Sequence, residues 1–360
     1  MDEPRYWLAL SLVQGIGPVK TRALIEHFGT LQLAWQAAPS ELQQAGLDKR
    51  ALKNLLDARE QIDVEREWAR LQRSQSQMLT WNDAAYPARL KEIEDAPPAL
   101  YVRGELSAAD EYAVAIVGTR LATTYGKEVT RGLAGDLARN RITIISGLAR
   151  GIDLIAHEAA LEAGGRTIAV LGSGVDVIYP PEARRLSEQI VTRGALISEY
   201  PLGTRPEASN FPPHNRIISG MSLGVVVVEA GLESGALITA GFALEQGRDV
   251  FAVPGNVFNK SSQGTNRLIQ QGAKLVMSFE DVLDELQLQR VAEHQQTREV
   301  IPEDETERVL WDALSQEPIH VDELRRQLDL PISTISSTLI VMELKGLARH
   351  VGGMNYIRAQ

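Results

Sequence analysis

A chain of 360 residues with 44% hydrophobic and 23% charged side chains has an ordinary globular composition and room for two or three domains. No apolar run is long enough to span a bilayer, the start Met1-Asp-Glu-Pro-Arg-Tyr-Trp7 lacks the pattern of a signal peptide, and zero cysteines exclude disulfides and thiolate metal sites, so a cytoplasmic protein with no membrane partner is expected. The net charge of −10 argues at first sight against nucleic acid, but Glu111 to Glu280 hold 16 Lys and Arg against 16 Asp and Glu, which leaves room there for a local basic groove.

Residues 1–75 read as a small helical domain. Trp7-Leu-Ala-Leu-Ser-Leu-Val13, the turn Gln14-Gly-Ile-Gly-Pro-Val-Lys20 and Thr21-Arg-Ala-Leu-Ile-Glu-His-Phe28 make a helix–hairpin–helix, SAM-like pattern. Its two glycines permit a tight turn whose amides can meet a phosphate. The competing reading, a packing domain whose hairpin binds nothing, is preferred because Lys20 stands nearly alone. Asp83–Leu90 and Asp95–Gly104 follow as Pro-rich connectors.

Residues 76–285 carry the grammar of an extended Rossmann-like α/β core with a parallel sheet. Val114-Ala-Ile-Val-Gly-Thr-Arg120, Ile144-Ile-Ser-Gly-Leu-Ala-Arg-Gly-Ile-Asp153 and Ile168-Ala-Val-Leu-Gly-Ser-Gly174 are apolar runs that end in Gly-containing turns before helix-like segments. Ligands of such sheets sit at the carboxyl ends of the strands, where helix-start amides face anions. Gly118, Thr119 and Arg120 form the first turn, and Arg120 is placed to clamp a phosphate. Ser146 with Gly147, and Gly172 with Gly174, are turns of small residues that admit a ligand close to the backbone. One glycine after the first strand is not a dinucleotide fingerprint. Asp153 and His157, spaced i and i+4, are read as a polar pair that holds a loop, because a third metal ligand is missing nearby. Phe211-Pro-Pro-His-Asn-Arg216 is expected to be a Pro-stiffened loop in which Phe211 stacks a base and Asn215 and Arg216 contact the strand. Glu229 ends the strand Val225–Ala230, and Ser234 and Gly235 open the next helix. Glu229 lacks a partner nucleophile, and there is no Walker A, G-x-S-x-G or H-E-x-x-H motif.

Residues 286–305 are polar and Gln-rich and read as a linker. Residues 306–360 read as three helices and a Gly-Gly hairpin, the order of a winged helix. Its third helix offers Ser, Thr and Glu343 where a DNA reader offers Arg or Lys, so protein contact or a structural role is preferred.

These motifs together resemble the DNA-processing protein A (DprA, or Smf) family. The resemblance rests on Ala115–Arg120, Ser146–Asp153 with His157, Ala169–Asp176 with Tyr179-Pro180, Ser198–Pro201, Asn215–Ser219, Glu229, Ser234–Ala240 and Val253–Gly255, and it is strong from about Trp81 to Met277. It implies a dimeric, non-enzymatic protein, without metal or cofactor, that binds and protects single-stranded DNA and loads RecA recombinase in natural transformation. It further implies that Arg120 contacts phosphate, that Ser146, Gly147, Gly172 and Gly174 line the pocket, and that Phe211, Asn215 and Arg216 stand beside it. Two departures matter. Pro181 stands where many members have a basic residue, with Arg184 and Arg185 as substitutes, and His214 stands where many have arginine. Histidine would partly restore the charge at mildly acid pH. The dimer surface maps near Phe242 to Gly272, with Leu268 and Ile269 as apolar candidates.

Two other classes compete. A nucleotide-binding sensor or phosphoribohydrolase would use Glu229 as acid/base. A winged-helix transcription factor would bind one duplex sequence through residues 306–358.

Overall fold

The computed structural model describes residues 3–288, 305–315, 317–344 and 347–358. Its contacts divide the chain into one unit over Met1–Leu286 and a second over Gln287–Gln360. Residues 289–304, most of the expected linker, lie outside the described residues.

The first unit begins with helices α1 (Glu3–Ser11), α2 (Pro18–Phe28), α3 (Leu31–Gln36), α4 (Pro39–Gln44), α5 (Lys49–Gln61) and α6 (Val64–Arg73). Pro18 opens α2, where no N–H partner is needed, and Gly29 ends it at φ 76°. Thr30, Asp48 and Asp63 cap the starts of α3, α5 and α6. Trp7, Leu10, Leu24, Leu31 and Leu55 form the core of this layer. Leu8 and Leu71 instead pack with Tyr101, Leu171 and Leu196 of the sheet, so the helical layer and the sheet share one unit. The hairpin lysine is taken up internally: Lys20 Nζ donates to the Gly15 carbonyl and pairs with Asp48 at 2.5 Å.

The sheet contains β1 (Gln77–Thr80), β2 (Ala99–Gly104), β3 (Ala113–Val117), β4 (Thr143–Ser146), β5 (Thr167–Val170), β6 (Ala195–Ser198), β7 (Gly224–Val227), β8 (Asp249–Ala252) and β9 (Lys274–Leu275). Their order is β1-β2-β6-β5-β4-β3-β7-β8-β9. All pairs from β6 to β9 are parallel, while β1 and β2 extend the β6 edge antiparallel. Helices follow in chain order: α7 (Ala88–Lys91) after β1, α8 (Thr124–Arg139) after β3, α9 (Ile152–Glu162) after β4 and α10 (Arg184–Arg193) after β5. Then come α11 (Phe211–Gly220), α12 (Gly235–Glu245), α13 (Gln263–Gln270) and α14 (Phe279–Glu285). The strand order runs outward from β3 in both directions, which puts the topological switch point at the carboxyl ends of β3 and β7.

Two segments depart from the sequence expectation. Ala99–Gly104 is a strand rather than a connector: Leu100, Tyr101 and Val102 are fully buried, which erases the alternation that marks a strand. Phe211–Arg216 is the start of α11 rather than a loop. Pro212 and Pro213 occupy its first turn, where a missing N–H costs nothing.

The second unit holds α15 (Glu305–Ala313), β10 (Ile319–His320), α16 (Val321–Leu328), α17 (Ile332–Leu344), β11 (Ala348–Gly352) and β12 (Asn355–Arg358). Its sheet order is β10-β12-β11. Leu310, Leu324, Ile335, Leu339 and Met342 are its core, and the arrangement is a winged helix.

Candidate nucleic-acid interface

A cleft of about 820 Å³ opens at the switch point. Gly118, Thr119, Arg120 and Leu121 form one wall as the chain leaves β3. The start of α11 supplies Phe211, His214 and Asn215, and the start of α12 supplies Ser234 and Gly235. Lys260 and Gln263 complete the lining from beyond β8.

The turn after β3 folds tightly because Gly118 permits it: a Cβ there would stand 2.5 Å from the Ile152 side chain. Thr119 N–H donates to the Glu229 carbonyl at 2.7 Å, which fixes the turn against β7. Arg120 is left exposed, with its guanidinium 5.2 Å from the Phe211 ring centre. It has no carboxylate partner among the described residues. Phe211 lies against Gly172, where a Cβ would come within 3.3 Å of the ring. Its centre is 6.2 Å from that of Tyr179, over which Arg150 stands at 6.0 Å. A cation, two rings and a second cation therefore run along the carboxyl edge. Glu182 pairs with Arg150 through both carboxylate oxygens, so Arg120 is the outer cation whose charge is not offset within this row. α12 points its N-terminus into the cleft, capped by the Ser234 hydroxyl, and its partial positive charge favours an anion there.

Several residues expected at the ligand are used inside the protein. Arg216 is buried, pairs with Glu199 at 2.5 and 2.8 Å, and reaches Asp95 at 3.0 Å, so it braces the fold and does not line the cleft. The Ser146 hydroxyl donates to the Ile116 carbonyl at 2.6 Å, beneath the floor. The turn at Gly147 is already filled by a carboxyl group of the protein: Gly147 N–H and Ala149 N–H both donate to Asp153 Oδ2, at 3.2 and 3.3 Å. Gly174 is buried against the Pro201 carbonyl. Arg184 and Arg185 are exposed at the start of α10 and are not part of the cleft lining. His214 lines the cleft but is 4% exposed, and burial lowers its pKa to about 4, so it supplies no charge at mildly acid pH. Among the apolar candidates for subunit contact, Leu268 is buried in the core, and Ile269 is half-buried against that core.

Sequence reasoning missed the cleft roles of Lys260 and Asp153. Lys260 lies far along the chain in a loop without a motif. Asp153 was visible as a loop holder, but not as a wall of the cleft. Burial raises its pKa to about 7. His157 turns elsewhere, to Thr167 at 2.6 Å. Glu229 is buried and accepts from Thr123 N–H and Thr123 Oγ1 at 2.9 and 2.6 Å. It holds the start of α8 and is not among the residues that line the cleft.

The fold and cleft define a Rossmann-type α/β protein with a cation-and-ring-lined cleft at its switch point, joined to a winged helix. The chain belongs to the family described as DNA recombination-mediator protein A, whose model matches residues 77–287, and a DprA winged helix domain model matches residues 294–354. Protein Smf of Synechocystis sp. is 36% identical over 394 residues, covering 99% of each chain. The DNA processing protein DprA of Streptococcus pneumoniae is 47% identical over 206 residues, 57% of this chain and 72% of that one. A solved structure of DNA processing protein A from Streptococcus pneumoniae aligns with a TM-score of 0.70 at 37% identity, covering 78% of this chain and 97% of that one. The Helicobacter pylori protein, whose structure is described for its single-stranded DNA binding mode, aligns with a TM-score of 0.53 at 32% identity, covering 58% and 95%. Among the described residues no helix is long and apolar enough to cross a membrane.

Proposed function

We propose that this protein binds single-stranded DNA in the switch-point cleft, shields it, and hands it to RecA recombinase in natural transformation, as a homodimer and without catalysis. The observation that carries this reading is the Arg120–Phe211 pair, an unpaired guanidinium 5.2 Å from an accessible ring at the mouth of the cleft. A strand offers both of the complements: phosphate for the cation and base faces for the ring. Duplex DNA keeps its base faces stacked, so it offers the cation its phosphates but offers the ring no base face. Membership of the DNA recombination-mediator family supports the same ligand, as does the single-stranded DNA described for the Helicobacter pylori protein. In this reading Gly118, Thr119, Arg120, Phe211, Asn215, Ser234 and Gly235 touch the strand. Gly147 and Gly172 shape the walls, and Arg184 and Arg185 attract the strand from outside the cleft.

For the homodimer, the support is the open edge of the sheet. β9 is only two residues long, with Leu275 37% and Met277 79% exposed, and Leu244 on α12 is 64% exposed. RecA delivery is tested by following RecA filament assembly on a single strand already coated with single-strand binding protein. Wild type shortens the lag and Arg120→Ala does not. An unchanged lag with the wild type would remove RecA from the proposal.

A further inference from the structure

One cation of the cleft lining, Lys260, is left unused by the reading above. It stands in the loop Val253–Ser262, between β8 and α13. Two residues earlier, Phe258 is 89% exposed and Val257 is 70% exposed. This loop is built rather than loose. Asn266 bonds both the N–H and the carbonyl of Gly255, at 3.1 and 2.9 Å, and the Asn256 side chain accepts from Phe258 N–H at 2.9 Å. Tyr125 at the start of α8 donates its hydroxyl to the Pro254 carbonyl at 2.8 Å, tying the loop to the Arg120 wall. Val257 and Phe258, exposed side by side on a fixed loop, gain nothing from the protein's own core and leave an aromatic face open to a partner. Lys260, like Arg120, has no carboxylate partner among the described residues.

A cation and a ring thus recur: Arg120 and Phe211 touch within the lining, and Lys260 of the lining stands two residues along the chain from the exposed Phe258. Arg120 follows β3 and Lys260 follows β8, with β7 between, so the strands that lead to the two cations are about 10 Å apart in the sheet. Resting on the single-strand reading of the cleft, we propose that the loop Asn256–Lys260 is a second strand-contacting platform. A base leaving the cleft stacks on Phe258, and a neighbouring phosphate meets Lys260. The charge of Lys260 and its place in the cleft lining favour a nucleic-acid strand over a protein partner.

The test compares oligothymidylates of about four and about sixteen nucleotides, the span of single-strand sites, on the full chain at fixed salt. Phe258→Ala is expected to weaken the long oligomer by about 5- to 100-fold, the scale of one lost stacking contact, and to leave the short one nearly unchanged. Arg120→Ala weakens both. Phe258→Trp binds the long oligomer like wild type, and the emission it adds is quenched by that oligomer and not by the short one. Phe258→Ala binding the long oligomer like wild type, while Arg120→Ala loses it, would overturn the platform and leave the cleft standing. Conversion of a dimer to a monomer by Phe258→Ala in sedimentation would also overturn it, by making the loop a subunit contact. Absence of binding to either oligomer by the wild type would overturn the cleft reading itself, and the platform with it.

Discussion

Asp153 shows how one carboxyl group can serve the fold and face the ligand cleft at once. It holds the turn after β4 through two amides and faces the same cleft as Arg120. Burial raises its pKa from 3.8 to about 7, so the folded protein prefers the neutral acid. The sign follows from linkage. Between about pH 4 and 7 the unfolded chain has released this proton and the folded chain retains it, so the contribution is full below pH 4 and is lost as pH rises through 7. Both amides bond the same oxygen, so Asp153→Asn retains the acceptor without the charge. Urea denaturation across pH 4–8 is expected to show wild type losing stability relative to Asp153→Asn up to about pH 7, then running parallel to it. The buried histidines, His157 and His214, titrate alike in both proteins and drop out of the difference. Curves that stay parallel from pH 4 would show an ordinary carboxylate at this position.

At the scale of elements, what the sequence made legible depended on periodicity. The runs at β3, β4, β5 and β7 were readable because strands buried on both faces are mostly apolar segments, each with a glycine within four residues of its end. β2 was not, because Pro97 and Pro98 stand just before it and mask the boundary. The start of α11 was not either, since two adjacent prolines signal a loop as readily as a helix start. That error displaced Arg216. On a loop it would reach a ligand, but on α11 it is turned inward to join three segments: the helix, Glu199 after β6, and Asp95 before β2. Arg216→Ala leaves a largely buried Glu199 without its cation and is expected to cost about 3 kcal/mol, read by denaturant unfolding. Loss of DNA binding with unchanged stability would return Arg216 to the ligand.

Over the whole molecule, every cleft residue lies in the unit Met1–Leu286, and its cations come from segments far apart in sequence. Net charge was therefore a poor guide. An excess of acid over the chain is compatible with a groove that sets Arg120, Lys260 and the α12 N-terminus around one opening. The motifs marked the cleft's position and Asp153 as a loop holder, but which turns remain open to a ligand depended on internal bonds such as that of Ser146 to the Ile116 carbonyl, which no spacing reveals. The central claim is that this cleft holds a single strand through Arg120. The most direct test is the affinity for one oligonucleotide and for its duplex, at two salt concentrations, for wild type and Arg120→Ala. The account predicts a preference for the single strand that weakens with salt. It also predicts a loss of about 10- to 100-fold in Arg120→Ala, the scale of one charge-assisted bond, with a salt slope lower by about one. Equal affinity for strand and duplex, or a variant that binds like wild type, would contradict it.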